Sequence, residues 1–76
     1  MNNPRRKELE RIANAITELK EQLEILQEEE DEYRDNMPEN LQGSERYEKA
    51  EAACENLYGA VSSLEEAVDF INESMA

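Results

Sequence analysis

The stretch Tyr33-Arg34-Asp35-Asn36-Met37-Pro38-Glu39-Asn40-Leu41-Gln42-Gly43-Ser44-Glu45-Arg46-Tyr47 interrupts the chain near its middle and decides its topology. Proline crowds the residue before it out of the helical region, so a helix arriving from the amino-terminal side ends near Asn36 or Met37. Gly43 supplies a position tolerant of positive φ, and Ser44 is a good N-cap for a second helix. The link from Pro38 to Gly43 is short, and short connectors join antiparallel neighbours. Leu41 within it is expected to fold back over the open end of the helix pair.

Apolar periodicity runs away from this link in both directions. On the amino-terminal side Leu9, Ile12, Ile16, Leu19, Leu23, Leu26, Glu30, Tyr33 and Met37 follow alternating steps of three and four. On the carboxyl-terminal side Tyr47, Ala50, Cys54, Leu57, Val61, Leu64, Val68, Ile71 and Met75 do the same. Sustained 3-4 spacing is the pattern of helices that insert side chains between those of a facing helix. Folding the chain about the link makes residues face each other when their numbers sum to about 84. Glu30 then shares a layer with Cys54, where it is expected to fix register or to reach out to Arg34 or Lys49. Asn2 or Asn3 caps the first helix, with Pro4 in its first turn, where the missing N–H costs nothing. The expected fold is all-α: an antiparallel two-helix coiled-coil hairpin forming one domain over 1–76. Its helix 1 covers about 4–36, its connector 37–43 and its helix 2 about 44–75.

Size and charge bound what such a hairpin does. The chain has 76 residues, 20 acidic and 8 basic, no histidine, and a net charge of -12. A domain this small buries about 60% of its extended surface, and its core rarely supplies more than ~3–5 kcal/mol. One cysteine excludes a disulfide framework, and one cysteine without histidine leaves no usual zinc ligand set. Association into a helical bundle is the remaining support, so a homo-oligomer is expected. No apolar run approaches the ~18–20 residues of a membrane span. No signal-peptide pattern follows Met1, and a lone cysteine suits a reducing compartment, so a cytoplasmic location is expected. So acidic a chain is not expected to bind nucleic acid directly.

Catalysis is not expected either. There is no histidine for proton transfer, no glycine-rich phosphate loop and no nucleophile with a partnered base, and no cofactor or metal is called for. The run Glu28-Glu29-Glu30-Asp31-Glu32 lacks the spaced loop ligands and glycine turn of a calcium site; on a helix its carboxylates radiate in all directions. Cys54 reads as a small buried hydrophobe, with no cluster of cations to lower its pKa.

Two surface patterns point to binding. Glu21, Glu24, Glu28, Asp31 and Asp35 form an outward ridge at 3-4 spacing, about one carboxylate per 5 Å of helix. Glu48, Glu51 and Glu55 extend it onto the second helix. Residues 24–55 hold 12 acids and three cations, whereas residues 1–11 hold four cations and two acids, so the charge is polarised along the molecule. Charged outer faces are ordinary in coiled coils. A concentration of this size, set against a Lys/Arg groove, would also steer fast association with a protein that has a basic surface and compete with nucleic acid for it. The second pattern is a charge-free stripe on helix 2 that includes Ala53, Ala60, Ala67 and Phe70. It is either a flank of good helix formers or a second interface, whose depletion in charge is what interface cores show.

The segment Asp35-Asn36-Met37-Pro38-Glu39-Asn40-Leu41-Gln42-Gly43-Ser44-Glu45-Arg46, followed by an acidic amphipathic helix, resembles that of small acidic helical-hairpin proteins from phages and mobile elements of Gram-positive gut bacteria. The resemblance spans nearly the whole chain and implies a helical hairpin without implying an activity. By analogy with small acidic phage proteins as a class, it suggests an anti-defence factor such as an anti-CRISPR or anti-restriction DNA mimic. The function expected is that of an inhibitor or adaptor of such origin, seated on a basic nucleic-acid-binding surface. The alternative is a structural or assembly protein that homo-oligomerises through helix 2.

Overall fold

The computed structural model describes residues 1–76 as two long helices and a turn: α1 from Asn3 to Asp35, a 3-10 turn from Glu39 to Leu41, and α2 from Glu45 to Ser74. The result is an all-α helical hairpin, 59 × 15 × 13 Å along its principal axes. No helix is long and apolar enough to cross a membrane.

The helix ends follow from local chemistry. Asn2 is extended, and its Oδ1 accepts a hydrogen bond from the Arg5 N–H at 2.8 Å, which satisfies one of the free donors of the first turn. Pro4 sits in that turn. At the other end Asn36 closes α1, and Pro38 prevents its continuation. The Leu41 N–H donates to the Pro38 carbonyl at 2.9 Å and the Gln42 N–H to the Glu39 carbonyl at 3.2 Å, closing the connector as a tight turn. Ser44 works twice: its hydroxyl donates to the Leu41 carbonyl and accepts from the Tyr47 N–H, capping α2. Gly43 is not in the left-handed region, contrary to the expectation from sequence. The 3-10 turn and Pro38 reverse the chain with ordinary backbone angles, so the turn makes no use of the glycine's freedom. Leu41 lines a shallow recess with Tyr33, Met37 and Arg46 but stays exposed, so it covers the end of the seam only in part.

The seam on α2 is the one its spacing predicts. Ala50, Cys54 and Val61 are buried, and Tyr47, Leu57, Leu64, Val68, Ile71 and Met75 are half-buried. The seam on α1 is not. Leu9, Ile16, Leu23, Glu30 and Met37 do face α2, but the row that joins them is Ala13, Lys20, Gln27 and Arg34. The expected row, Ile12, Leu19, Leu26 and Tyr33, is exposed, Leu19 at 60% and Leu26 at 55%. Exchanging the i+3 row for the i+4 row turns α1 about its axis by about 50°, half the 100° per residue of an α-helix. The physical reason lies in what the inner row offers. Ala13 lets the backbones approach, and Lys20, Gln27 and Arg34 lay flexible stems along the seam while their polar heads reach its edge. Lys20 Nζ accordingly lies 3.2 Å from Glu24 and 3.5 Å from Glu65 on the facing helix.

Only Ala13, Met37, Ala50, Cys54 and Val61 are buried, and no large side chain is wholly shielded from solvent. The hairpin is held by one thin seam.

Candidate functional site: two opposite shoulders

In an antiparallel pair each flank of one helix lies beside the like flank of its neighbour. The rotation of α1 therefore gives the hairpin two shoulders of different chemistry.

One shoulder is acidic. Lys20, Glu24 and Glu65 meet on it, and farther toward the turn Asp31, Glu55 and Tyr58 line an open recess over Cys54 with Gln27 and Arg34. The ridge predicted from sequence stands here: Glu21, Glu28, Asp35, Glu48, Glu51 and Glu55 are exposed, Glu24 and Asp31 half-buried. Asp31 and Glu55 share the recess, which joins the helix 1 and helix 2 portions of the ridge. Two of the eight carboxylates are neutralised within the chain, Glu24 by Lys20 and Asp35 by Arg34 Nε at 3.0 Å. Glu21, Glu28, Asp31, Glu48, Glu51 and Glu55 have no cation within 4.0 Å. Glu30 does not make the pairs expected of it, since Arg34 turns to Asp35 and Lys49 to Glu45.

The electrostatics of this shoulder show in Cys54. Burial pushes its thiol up, the neighbouring Asp31 and Glu30 push the same way, and Arg34 opposes them. A thiol held protonated in this manner is a poor nucleophile. At the far end of α1 the environment is reversed: Arg11 hydrogen-bonds Glu8 at 2.7 Å and holds its carboxyl below the usual range.

The other shoulder is apolar. Tyr33 Oη accepts a hydrogen bond from Arg46 Nε at 2.9 Å, and the Arg46 guanidinium lies 5.9 Å from the centre of the Tyr33 ring. This contact puts the Tyr33 row of α1 beside the Arg46 row of α2, whose seven-residue repeat runs through Ala53, Ala60 and Ala67. Ala53 and Ala67 are half-buried and Ala60 is exposed. Phe70, on the outer row of the same 3-4 stripe, is 67% exposed among Glu66, Asp69 and Glu73. Sequence reasoning missed the α1 half of this shoulder. Its signal is the repeat of Ile12, Leu19, Leu26 and Tyr33 at steps of seven, which the 3-4 pattern alone places in the inner seam.

No protein family, no curated protein and no solved structure matches this chain.

Proposed function

We propose that the protein is a non-catalytic inhibitor or adaptor whose acidic shoulder occupies a basic, nucleic-acid-binding surface of another protein. The observation that carries the reading is the group of six unpaired carboxylates on one shoulder spanning both helices. Carboxylates without internal partners are free to pair with a partner's lysines and arginines, and a row of them raises the association rate and competes with phosphate for the same groove. A host or defence complex that grips nucleic acid is the partner of matching chemistry, in line with the anti-CRISPR-like role that the resemblance suggests. The alternative, a structural protein that assembles without inhibiting anything, is favoured by the apolar shoulder.

The test begins with affinity capture from the native host and identification of the bound protein by mass spectrometry. Glu28→Lys with Asp31→Lys should weaken that complex at least about tenfold, because several rim pairs and any buried pair are lost together. Helicity should not change, since neither residue belongs to the seam. The partner's own nucleic acid should displace the hairpin, and raised salt should weaken the complex. Undiminished binding of the double variant, together with a failure of nucleic acid to compete, would refute the proposal.

A further inference from the structure

We infer that the apolar shoulder is the docking face for a second copy of this chain, and that the two hairpins lie with their turns at opposite ends, forming a four-helix bundle. The inference is independent of the acidic shoulder and would stand if that proposal fell.

The hairpin exposes more surface than a compact domain of its mass. A compact folded monomer of 8.8 kDa exposes about 4,800 Å² by the usual scaling. The hairpin exposes 5748 Å². The excess of about 1,000 Å² is close to the ~800 Å² that each partner buries in a standard interface. Part of the exposed apolar surface lies where a second copy would cover it, on Leu19 and Leu26 and their row neighbours Ile12 and Tyr33, all exposed. Four large apolar side chains on a seven-residue repeat are a second seam with nothing in it.

The α1 row is centred between residues 22 and 23, so an antiparallel second copy sets Leu19 against Leu26 and Ile12 against Tyr33, each pair occurring twice. The α2 row is centred on Ala60, which meets its own equivalent, with Ala53 against Ala67. One two-fold axis must serve both rows. The contacts of Lys20 with Glu65 and of Tyr33 with Arg46 place the centre of the α1 row level with residues 56–63 of α2, and Ala60 lies within that span. Bulky residues meet on one side of the axis, and on the other the alanines let the α2 backbones come close.

Charge selects the orientation. Residues 24–55 at the turn end hold 12 acids and three cations, and residues 1–11 at the open end hold four cations and two acids. Hairpins with turns together would set the two turn ends, each with a net charge of −9, side by side, whereas turns apart set each beside an open end, residues 1–23 with 56–76, whose net charge is only −3. With turns apart, Arg5, Arg6 and Lys7, none of which has an ion pair within the chain, lie beside the acidic end of the other copy. Both acidic shoulders then face outward, away from each other and open to a partner.

Sedimentation equilibrium on the full chain at micromolar concentration should return twice 8.8 kDa. Leu19→Glu with Leu26→Glu should weaken self-association at least about a hundredfold, because the two-fold axis places every change in the interface twice. Both sites are exposed in the hairpin, so the variant should keep its helical circular dichroism. Ala60→Cys in a Cys54→Ala background should form a disulfide-linked dimer under mild oxidation, since the two copies of residue 60 meet on the axis. A chain that stays monomeric at 100 micromolar, or a dimer unaffected by Leu19→Glu with Leu26→Glu, overturns the proposed face. A dimer of the Ala60→Cys variant whose introduced thiols do not join overturns the orientation. Glu28→Lys with Asp31→Lys should leave the dimer intact, which separates this test from that of the acidic shoulder.

Discussion

Lys20 occupies a seam position, and replacing it with leucine weighs electrostatics against burial at the point where α1 departs from its expected orientation. The ammonium bridges Glu24 at 3.2 Å and Glu65 at 3.5 Å, while the lysine side chain is 20% exposed and the two carboxylates are 41% and 54% exposed. Ion pairs as open as these contribute about 0.2–1 kcal/mol each, so Lys20→Leu gives up about 1 kcal/mol in all. Freed from Lys20, both carboxylates remain hydrated, and no buried charge is stranded. On the other side, a fully buried leucine contributes about 1.5–3 kcal/mol, of which the lysine stem already secures part. Ordering a lysine also costs about 1 kcal/mol more side-chain entropy than ordering a leucine. Helix propensity is nearly equal for the two. Burial therefore wins by about 1 kcal/mol, which in a domain of this size raises Tm by about 4–8 °C. The assay is thermal unfolding followed by circular dichroism, at one fixed protein concentration because self-association would shift Tm by mass action. Repeating it in 1 M salt, where the screening length is about 3 Å, should widen the gap by weakening the wild-type pairs alone. A leucine variant that melts several degrees lower would show that the ion pairs, and not the lysine stem, hold this layer. Stem burial would then not be what turns the polar row of α1 inward.

Two further perturbations address α2. Gly59 lies mid-helix on the exposed face with nothing within 4 Å of where a Cβ would stand, so Gly59→Ala should stabilise the protein by about 1 kcal/mol, and an unchanged or lower Tm would contradict the open environment described for it. Cys54 has a raised folded-state pKa, so the folded chain holds that proton more tightly than the unfolded one; the resulting stability is present below the ordinary thiol value and is lost as pH climbs past about 8.5 through the folded value. Stability curves for wild type and Cys54→Ala from pH 7 to 10 should therefore draw together at the alkaline end, and a constant separation would show that the thiol does not titrate differently in the two states.

What could be read from the sequence differs between the two helices for a physical reason. On α2 one set of apolar residues fits a 3-4 seam and the positions around it, Tyr58 and Phe70 apart, are small or polar, so the pattern has one solution and the structure adopts it. On α1 the row through Leu9, Ile16 and Leu23 has two possible companions, and hydrophobicity alone favours Ile12, Leu19, Leu26 and Tyr33. The structure turns Ala13, Lys20, Gln27 and Arg34 inward instead, because amphipathic stems cover apolar surface almost as well as leucine does and their heads find carboxylates at the seam's edge. A scale that counts lysine and arginine as wholly polar misses this choice. The cap at Ser44 was legible, and that at Asn2 down to a choice with Asn3, because cap geometry depends on one side chain and the next three residues. The backbone of Gly43 was not, since glycine permits the left-handed region without requiring it. The acidic ridge was legible as spacing on each helix, but its continuity across the pair through Asp31 and Glu55 depends on the rotation of α1.

The tight turn at Glu39–Leu41 also sets an order of events. Tyr33 and Arg46, beside the turn, are separated by 13 residues, whereas Lys20 and Glu65 are separated by 45. The entropy of closing a loop grows with the chain enclosed, so the contacts next to the turn form at least cost, and each later layer is laid against one already in place. The hairpin thus closes from the turn toward its termini, in the manner of a zipper, and frays in the reverse order. Its nucleus is the stretch of chain richest in carboxylates, which must be gathered against their own repulsion before any of the long apolar seam is in place. The charges that the proposed partner would neutralise are the ones folding brings together first.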